Sequence, residues 1–458
     1  MKSNIGRREF VLQSSTAAAS GLALAGAAAT AIGAPAASAS PARGATSPGR
    51  RIRVGVMGLG RGSALAAALA SLADAEVAYM CDVDRRRLAN GMKQLGGAKS
   101  QHPQAVADFR KILDDKSVDA LVVAAPDHWH APAAILACSA GKHVYVEKPC
   151  CHNPHEGELA IAAARKHDRI VQVGTQRRSW PALIEAVEKM RAGEIGRVLY
   201  ARAWYANHRP SIGRGKPAPV PEWLDYSLWQ GPAPERPFKD NYLHYFWHNY
   251  WHWGTGEMGN NGVHGLDLCR WGLGVDYPTR VVSGGGKYRY EDDQQTPDTH
   301  TVTFEFGDRA IFWEGLSWSP RGMEGESFGA SFHGERGTLV MTGSGYAIYA
   351  SRTRKSAQRM SRRGMACTCK TFSPASASIA RRTPILSRAT SRRCFAISAI
   401  SPTAPAARST AIRKTAISLA TTKPCGFGRE NIGPAGNRLF DLQPLRRRTR
   451  RTLSPRLC

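Results

Sequence analysis

Residues 52–63 read IRVGVMGLGRGS, and this stretch decides the fold. Its first six residues are rich in β-branched side chains, and glycines follow at positions 58, 60 and 62. Leu65, Leu69 and Leu72 then recur at helical spacing. A glycine turn between a strand and a helix lets backbone N–H groups approach a phosphate at the start of the helix. The stretch therefore predicts a strand–turn–helix unit suited to phosphate binding, with its third glycine one position earlier than in the usual fingerprint.

Alternation of strands and helices continues on the C-terminal side of this unit. Further β-rich runs lie at residues 77–81, 120–124, 143–147 and 170–173, with Ala-rich helical stretches between them. This pattern is typical of parallel βαβ units. We predict a doubly wound Rossmann domain over 51–180, which makes the fold class α/β.

The texture changes near residue 196, where longer runs suggest a second sheet. Residues 198–204, 280–283 and 301–306 are strand-like and are no longer separated by regular helices. We predict an α+β domain with an open mixed or antiparallel sheet over 181–349.

An acidic residue at the end of the second strand strengthens the dinucleotide prediction. Asp82 lies 24 residues after Gly58, where a carboxylate would bind the ribose 2′-hydroxyl of NAD. Arg85, Arg86 and Arg87 follow directly and could instead hold the 2′-phosphate of NADP. The sequence favours NAD and leaves NADP open.

Two polar clusters follow later strands. Residues 126–130 read PDHWH and residues 147–149 read EKP. Ligands of open α/β sheets bind beyond the carboxyl ends of the strands, so both clusters are expected at the cofactor crevice. Pro149 restricts the backbone of Lys148 and thereby the direction of its ammonium group.

A third cluster, residues 256–267, reads GEMGNNGVHGLD. Asn260, His264 and Asp267 are spaced to share one helical face. A histidine there could take a proton from a substrate hydroxyl. The alternative makes Asn260 a helix cap and His264 a core histidine, and spacing alone does not decide between the two.

Taken together, these motifs resemble the Gfo/Idh/MocA oxidoreductases over roughly residues 50–349. The resemblance implies that Lys148 lies between nicotinamide and substrate and that His264 accepts the proton. The family often has aspartate where this chain has Asn260, and Asp267 is expected to compensate. The predicted dinucleotide-binding residues are Gly58, Gly60, Arg61, Gly62, Asp82, Pro126, Asp127, His128, His130, Glu147, Lys148 and Gln176.

The leading hypothesis is a dehydrogenase that oxidises a hydroxyl of a sugar or polyol with tightly held NAD. A second hypothesis is an NAD-dependent glycoside-cleaving enzyme that works by transient oxidation and elimination. A third is an inactive product with a damaged second domain. The expected partner is a small carbohydrate; no nucleic acid and no stable membrane span are expected, and a homo-oligomer is left open.

An aromatic run between residues 242 and 253 allows a competing interpretation. Asp240, His244, His248 and His252 recur every four residues and would form a metal-binding stripe on a helix. The richness in aromatic rings favours a pocket wall for stacking a sugar, and no metal is predicted. The body's cysteines are expected to be free, and Cys81 and Cys138 lie in apolar patterns.

The N-terminus has the features of an export signal. Arg7 and Arg8 precede an apolar stretch, and no charge occurs between Glu9 and Arg43. Residues 37–39 (ASA) supply a small-residue cleavage site. We predict a twin-arginine signal peptide over 1–39, a linker over 40–50 and a periplasmic or otherwise exported protein. An uncleaved membrane anchor is the alternative.

The net charge of +27 does not indicate a nucleic-acid-binding protein, because it is concentrated at one end. After position 350 there are 24 basic residues and two acids, whereas the first 350 residues carry a net charge of only +5. We predict that 350–458 is a disordered basic tail translated out of frame. The family resemblance supports this, because a helix common near its C-termini, LLCHLGNIAY, can be encoded so that a one-base shift gives CFAISAISPT, residues 394–403.

Overall fold

The computed structural model describes residues 50–96, 102–343, 345–350 and 355–360, the last six by their backbone alone. These residues belong to one unit that begins at Arg50. The predicted signal peptide, nearly all of the predicted linker, and the tail beyond residue 360 lie outside the described residues. Within the described part, no helix is long and apolar enough to cross a membrane.

A six-stranded parallel sheet forms the first half, in the order β3-β2-β1-β4-β5-β6. This order is that of the doubly wound Rossmann fold. Its strands are β1 (Ile52–Met57), β2 (Ala75–Cys81), β3 (Gln104–Val106), β4 (Ala120–Val123), β5 (His143–Val146) and β6 (Val171–Val173). The connecting helices are α1 (Gly62–Ala70), α2 (Arg85–Leu95), α3 (Arg110–Asp114), α4 (Asp127–Ser139) and α5 (Pro154–Lys166).

Capping side chains fix where two of these helices begin. The Asp84 carboxylate accepts hydrogen bonds from the backbone N–H groups of Arg86 and Arg87 at the start of α2. Asn153 does the same for Glu156, and Pro154 occupies the first turn of α5. Both caps satisfy donors that a helix N-terminus leaves without partners.

An eight-stranded mixed sheet forms the second half, in the order β14-β13-β12-β11-β7-β10-β9-β8. Its strands are β7 (Val198–Ala206), β8 (Arg280–Gly286), β9 (Thr299–Glu305), β10 (Ala310–Leu316), β11 (Phe328–Gly334), β12 (Gly337–Met341), β13 (Gly345–Ala350) and β14 (Lys355–Met360). Only β7 and β10 pair in parallel among these described strands. The α/β fold class with a mixed second sheet is therefore confirmed.

The helices of the second half are α6 (Pro181–Arg191), α7 (Tyr226–Gln230) and α8 (Val263–Leu273). Side chains of α6 and α8 join the core of the second sheet, where Trp313, Phe304 and Phe332 are fully buried. A separate aromatic core, centred on Trp253, lies between residues 212 and 253.

Strand β14 corrects one boundary. It pairs antiparallel with β13, although the sequence predicted disorder from residue 350. That prediction is wrong for residues 355–360, because the sheet edge of β13 offers backbone partners whatever the composition of the next segment. All five body cysteines are free and buried, as expected.

Candidate active site

A cavity of about 450 Å³ lies where the carboxyl ends of the Rossmann strands meet residues of the second half. We call its lining residues between Met57 and Gln176 the Rossmann wall. The lining residues of the second half form the aromatic wall, which consists of Leu228, Trp229, His244, Tyr245, Trp247, His248 and Asn260. Both walls meet at Lys148.

The glycine turn after β1 packs tightly against the end of the neighbouring strand β4. Gly58 has φ +87°, and a Cβ there would lie 2.6 Å from the carbonyl oxygen of Ala124. The Leu59 N–H donates to Oδ2 of Asp82 at 2.7 Å, which ties the turn to the end of β2. Only glycine fits at position 58, and the turn is shaped before any ligand arrives.

Asp82 suits the ribose of a dinucleotide. Its carboxylate lines the cavity and accepts from two backbone N–H groups, those of Leu59 and Asp84. Burial raises its pKa, and those two hydrogen bonds and Arg87 counteract the shift. A carboxylate has about four acceptor positions, so Asp82 retains capacity for ribose hydroxyls.

Of the three arginines after β2, Arg87 alone is among the lining residues described. Arg86 lies over the ring of Trp223, 3.4 Å from its centroid, and Arg85 donates to the carbonyl oxygen of Glu222. The 2′-phosphate of NADP could therefore contact one arginine in the cavity, Arg87, instead of three.

Gln176 offers a further test of whether a dinucleotide fits. Its Oε1 is buried and has no hydrogen-bond partner among the described residues, although the side chain lines the cavity. Such an acceptor calls for an N–H donor from a ligand, and the carboxamide of nicotinamide carries one. The acceptor at Gln176, the carboxylate at Asp82 and the glycine turn fit NAD.

Lys148 is held by the turn that precedes α8. Its Nζ donates to the backbone oxygen and to Oδ1 of Asn260, both at 2.9 Å. The Asn260 amide in turn donates to the hydroxyl of Tyr245 at 3.4 Å. Asn260 is 9% exposed. The ammonium group is therefore oriented at the cavity by an uncharged partner.

Glu147 and His130 support the backbone around Lys148. Glu147 is 4% exposed; its Oε1 lies 3.4 Å from Nε of Arg61, and its Oε2 accepts from the Lys148 N–H. The His130 ring lies between the carbonyl oxygens of Pro149 and Ala125. Burial lowers the pKa of His130 to about 4 and outweighs these carbonyls and Glu147, which raise it.

A π-helical turn, Met258–Gly262, directly precedes α8. The sequence predicted one helical face for Asn260, His264 and Asp267; Asn260 lies within the π-turn, whereas His264 and Asp267 lie on α8. Two close contacts accompany the turn: a Cβ on Gly259 would overlap Thr255, and one on Gly262 would meet Met258 and Trp313.

The cavity brings together most of the predicted site residues. Those that line it are Gly58, Gly60, Arg61, Asp82, Pro126, Asp127, His130, Glu147, Lys148, Gln176 and Asn260. Those outside the described lining are Gly62, His128, His264 and Asp267.

Two of these exceptions have a packing explanation. Gly62 is buried against β1, where a Cβ would lie 3.0 Å from Val56, so a glycine here permits close packing of α1 on the strand. His128 is buried, and its Nε2 lies 3.0 Å from the carbonyl oxygen of Trp229. That contact ties α4 to the aromatic wall.

The other two exceptions lie on α8. Asp267 is buried and binds Arg178 with both carboxylate oxygens, at 2.7 and 2.9 Å. This ion pair joins α8 to the segment after β6. His264 is half-buried in the first turn of α8.

The aromatic run forms no helix at residues 240–245, and a short 3-10 turn covers Phe246–Asn249. The three histidines have separate partners. His244 Nε2 lies 2.7 Å from Oδ2 of Asp84, His248 Nδ1 lies 2.6 Å from the carbonyl oxygen of Tyr245, and His252 Nε2 faces the carbonyl oxygen of Pro234. No group of metal ligands occurs among the described residues.

Several lining residues were missed at the level of sequence. Trp129 belongs to the PDHWH motif but had no predicted role of its own, and no role was predicted for Leu228, Trp229 or Phe109. Arg87, one of the three arginines considered for a 2′-phosphate, does line the cavity. Trp229 reaches the cavity through contacts with α4 that no local pattern encodes.

Two family models match the chain. Residues 52–175 match the NAD-binding Rossmann fold of the GFO_IDH_MocA oxidoreductase family, and residues 204–311 match the C-terminal alpha/beta domain of that family. The two matches together cover about half of the chain. The first half is therefore an NAD-binding Rossmann domain.

Relatives and solved structures agree with these matches. The chain is 34% identical over 179 residues to myo-inositol 2-dehydrogenase of Thermotoga maritima, which is 38% of this chain and 48% of that protein. It is 29% identical over 180 residues to scyllo-inositol 2-dehydrogenase (NAD(+)) of Bacillus subtilis, 39% of this chain and 48% of that protein.

Among solved structures, levoglucosan dehydrogenase in complex with NADH has the same fold, with a TM-score of 0.59 at 18% identity, over 77% of this chain and 96% of that one. The sequence matches to the first three curated relatives span between 26% and 56% of their lengths.

Proposed function

The chain belongs to the Gfo/Idh/MocA oxidoreductase family, and we propose that it is an NAD-dependent dehydrogenase that oxidises a hydroxyl group of a sugar or polyol. The observation that carries the proposal is the double hydrogen bond from Lys148 to Asn260, because it fixes an ammonium group in the cavity that begins at the glycine turn. The inositol dehydrogenases among the relatives support the substrate class.

The chain's own groups divide the work as follows. Asp82 would hold a ribose of the dinucleotide and the glycine turn its phosphates, and Gln176 lies in the same cavity as Lys148. When bound, NAD supplies the acceptor for the hydride that leaves the carbinol carbon. Lys148 donates to the substrate oxygen and polarises it. The family resemblance alone assigns the proton of that hydroxyl to His264, which lies in the first turn of α8 outside the described lining.

Tight retention of the cofactor is part of this proposal. The segment that carries the aromatic wall is joined to the Rossmann domain beside Asp82: Arg85 N–H donates to the carbonyl oxygen of Trp223 at 2.9 Å, and Asp225 N–H donates to that of Val83 at 3.0 Å. His244 adds its contact with the buried Asp84. Release of a dinucleotide then requires these contacts to open.

Export by the twin-arginine route would explain why the protein retains its dinucleotide. An exported dehydrogenase meets no free dinucleotide pool, so it has to carry its cofactor with it and reoxidise it in place. We propose that the protein is periplasmic or otherwise exported, because Arg7 and Arg8 precede a long uncharged stretch with a small-residue cleavage site at 37–39. Replacing both arginines with lysine should leave a reporter fused to residues 1–50 inside the cell.

We also propose that the basic tail arises from a shifted reading frame. We place the shift near residue 350, because the 24 basic residues and only two acids beyond it mark the change in composition. Resequencing the gene around this point tests it, and independent isolates that encode the basic tail as written would contradict it. A frame-repaired protein should be near-neutral and more soluble.

The test of function uses the protein from Ser40 onward, with its frame repaired, beside the full chain as given. Purified protein should retain NAD(H) through extensive dialysis, and a sugar or polyol should reduce it once per active site. Steady turnover of added NAD by an empty protein would contradict tight retention. Release of an aglycone without net NADH would assign the glycoside-cleaving reaction instead, and a melt without a cooperative transition would indicate an inactive product.

A further inference from the structure

His248 lies in the aromatic wall, close to Lys148 but outside the machinery described above. A chain of contacts connects the two: Lys148 donates to Asn260 at 2.9 Å, Asn260 donates to the Tyr245 hydroxyl at 3.4 Å, and the rings of Tyr245 and His248 have centroids 4.7 Å apart. His248 therefore lines the end of the cavity near Lys148, where the reacting oxygen of the substrate would lie.

The orientation of the His248 ring is fixed on two sides. The ring stacks on Trp247 with 3.6 Å between centroids and 20° between planes. Its Nδ1 lies 2.6 Å from the carbonyl oxygen of Tyr245, a partner that can only accept, so Nδ1 carries the proton in the neutral ring. No described residue forms a hydrogen bond with Nε2.

The ring is also neutral. Burial is the main cause that lowers the pKa of His248, to about 3, and Lys148, Arg209 and His130 add to it through their positive charge. A neutral imidazole with Nδ1 protonated presents Nε2 as a pure acceptor. A ligand's hydroxyl can donate to it, whereas a keto or carboxylate oxygen would face it lone pair to lone pair.

We propose that His248 Nε2 accepts a hydrogen bond from a second hydroxyl of the substrate, next to the hydroxyl that Lys148 binds. The inference rests on the proposed function and narrows its substrate class to uncharged polyhydroxyl compounds that carry a hydroxyl at this position. His248 binds and orients the substrate and takes no part in proton transfer. Its low basicity agrees with that division, since an efficient general base has a pKa near the working pH.

The experiment measures binding separately from turnover. Calorimetric titration with myo-inositol and its monodeoxy analogues uses the full chain loaded with NADH, which cannot accept a hydride. Myo-inositol should bind about 5- to 10-fold more weakly to His248→Phe than to the wild type. Phenylalanine keeps the stack on Trp247 and removes the acceptor. One monodeoxy analogue should bind equally to both proteins, because it lacks the hydroxyl that His248 recognises.

Two further variants complete the design. His248→Gln restores an acceptor and should recover part of the affinity. His252→Phe is the matched control: it removes a histidine of the same segment that faces Pro234 and is not among the residues lining the cavity, and it should bind like the wild type.

The kinetic readout separates binding from chemistry. KM should rise in His248→Phe by more than kcat falls. Equal binding of myo-inositol by wild type and His248→Phe would overturn the inference alone. A large fall in kcat at unchanged KM, with an altered pH profile, would make His248 a proton acceptor and overturn it as well. A wild type that neither binds nor oxidises any of these polyols would overturn the proposed substrate class, and the inference with it.

Discussion

The two walls of the cavity are held in place by different kinds of interaction. The Rossmann wall consists mainly of residues at strand ends, and parallel backbone ladders set their positions. The aromatic wall contains no strand; ring packing around Trp253 and hydrogen bonds between side chains and carbonyls hold it. A side-chain change in the Rossmann wall should thus alter chemistry locally, whereas one in the aromatic wall should alter the position of its neighbours.

The largest effect is expected from Lys148→Ala in the Rossmann wall. Turnover should fall about 10²–10⁴-fold, because a positioned proton donor is lost, while NAD stays bound because the glycine turn and Asp82 are untouched. Steady-state rates and cofactor content of the purified variant check this. Lys166→Ala, an exposed position on α5, is the control, and near-normal turnover in Lys148→Ala would remove Lys148 from the mechanism.

Gly231→Ala tests how much the close packing of Gly231 against Trp129, beside the aromatic wall, contributes to stability. Gly231 has φ +48°, and a Cβ there would overlap the ring of Trp129. The control Gly213→Ala shares a positive φ, +67°, with no atom within 4 Å of the added carbon. Gly231→Ala should be less stable than the control by about 1–3 kcal/mol in urea unfolding, the usual cost of overpacking. Equal stability would show that Trp129 yields easily.

Acid should weaken the contact between the walls through His128. Burial lowers its pKa to about 3, below its ordinary value of 6.5. The unfolded chain therefore binds the proton more readily, so the stabilisation is present above pH 6.5 and is lost as the pH falls toward 3. At pH 5.5 the expected loss is about 1.4 kcal/mol.

The measurement compares the free energy of unfolding at pH 7.5 and 5.5. His128→Gln should reduce the difference by about 1.4 kcal/mol, whereas His155→Gln, at an exposed position of α5, should leave it unchanged. An unchanged difference in His128→Gln would mean that His128 is not held neutral.

The smallest effect is expected at the contact between His244 and Asp84. His244→Phe keeps a ring against Trp223 and removes the hydrogen bond to the buried carboxylate. NAD should dissociate about 2- to 10-fold faster, in line with the net value of one hydrogen bond. Release into an excess of competing dinucleotide measures the rate, with His252→Phe as control. An unchanged rate of NAD dissociation would show that the contact between His244 and Asp84 does not help to retain the cofactor.

The same contrast explains what the sequence could predict. Each strand of the Rossmann sheet except β3 was recognisable, because these strands are short apolar runs followed by turn residues. β3 has three residues, two of them exposed, and carries no periodic signal. In the second sheet β10 alternates buried and half-buried residues, yet it and β11 to β14 were not predicted.

The site followed a similar division. Gly58, Asp82 and Lys148 were identifiable because each follows a strand at a set distance. The aromatic run was predicted to form a pocket wall, but His248 was not singled out within it and Trp229 had no predicted role. An aromatic run has no period that shows which ring faces a cavity and which faces the core. The equal spacing of the histidines even pointed to a helix that does not form.

The π-turn before α8 makes the active site sensitive to chain length. Its i→i+5 hydrogen bonds span one residue more than those of an α-helix, and that residue affects the angular position of Asn260 relative to α8. Deletion of Asn261 alone would allow ordinary α-helical pairing, and the core face of α8 could stay against Trp313. Asn260 would then lie at a different angle around the helix axis, away from Lys148. Loss of one codon could therefore leave α8 packed in its core and still remove the hydrogen bonds that orient the Lys148 ammonium group.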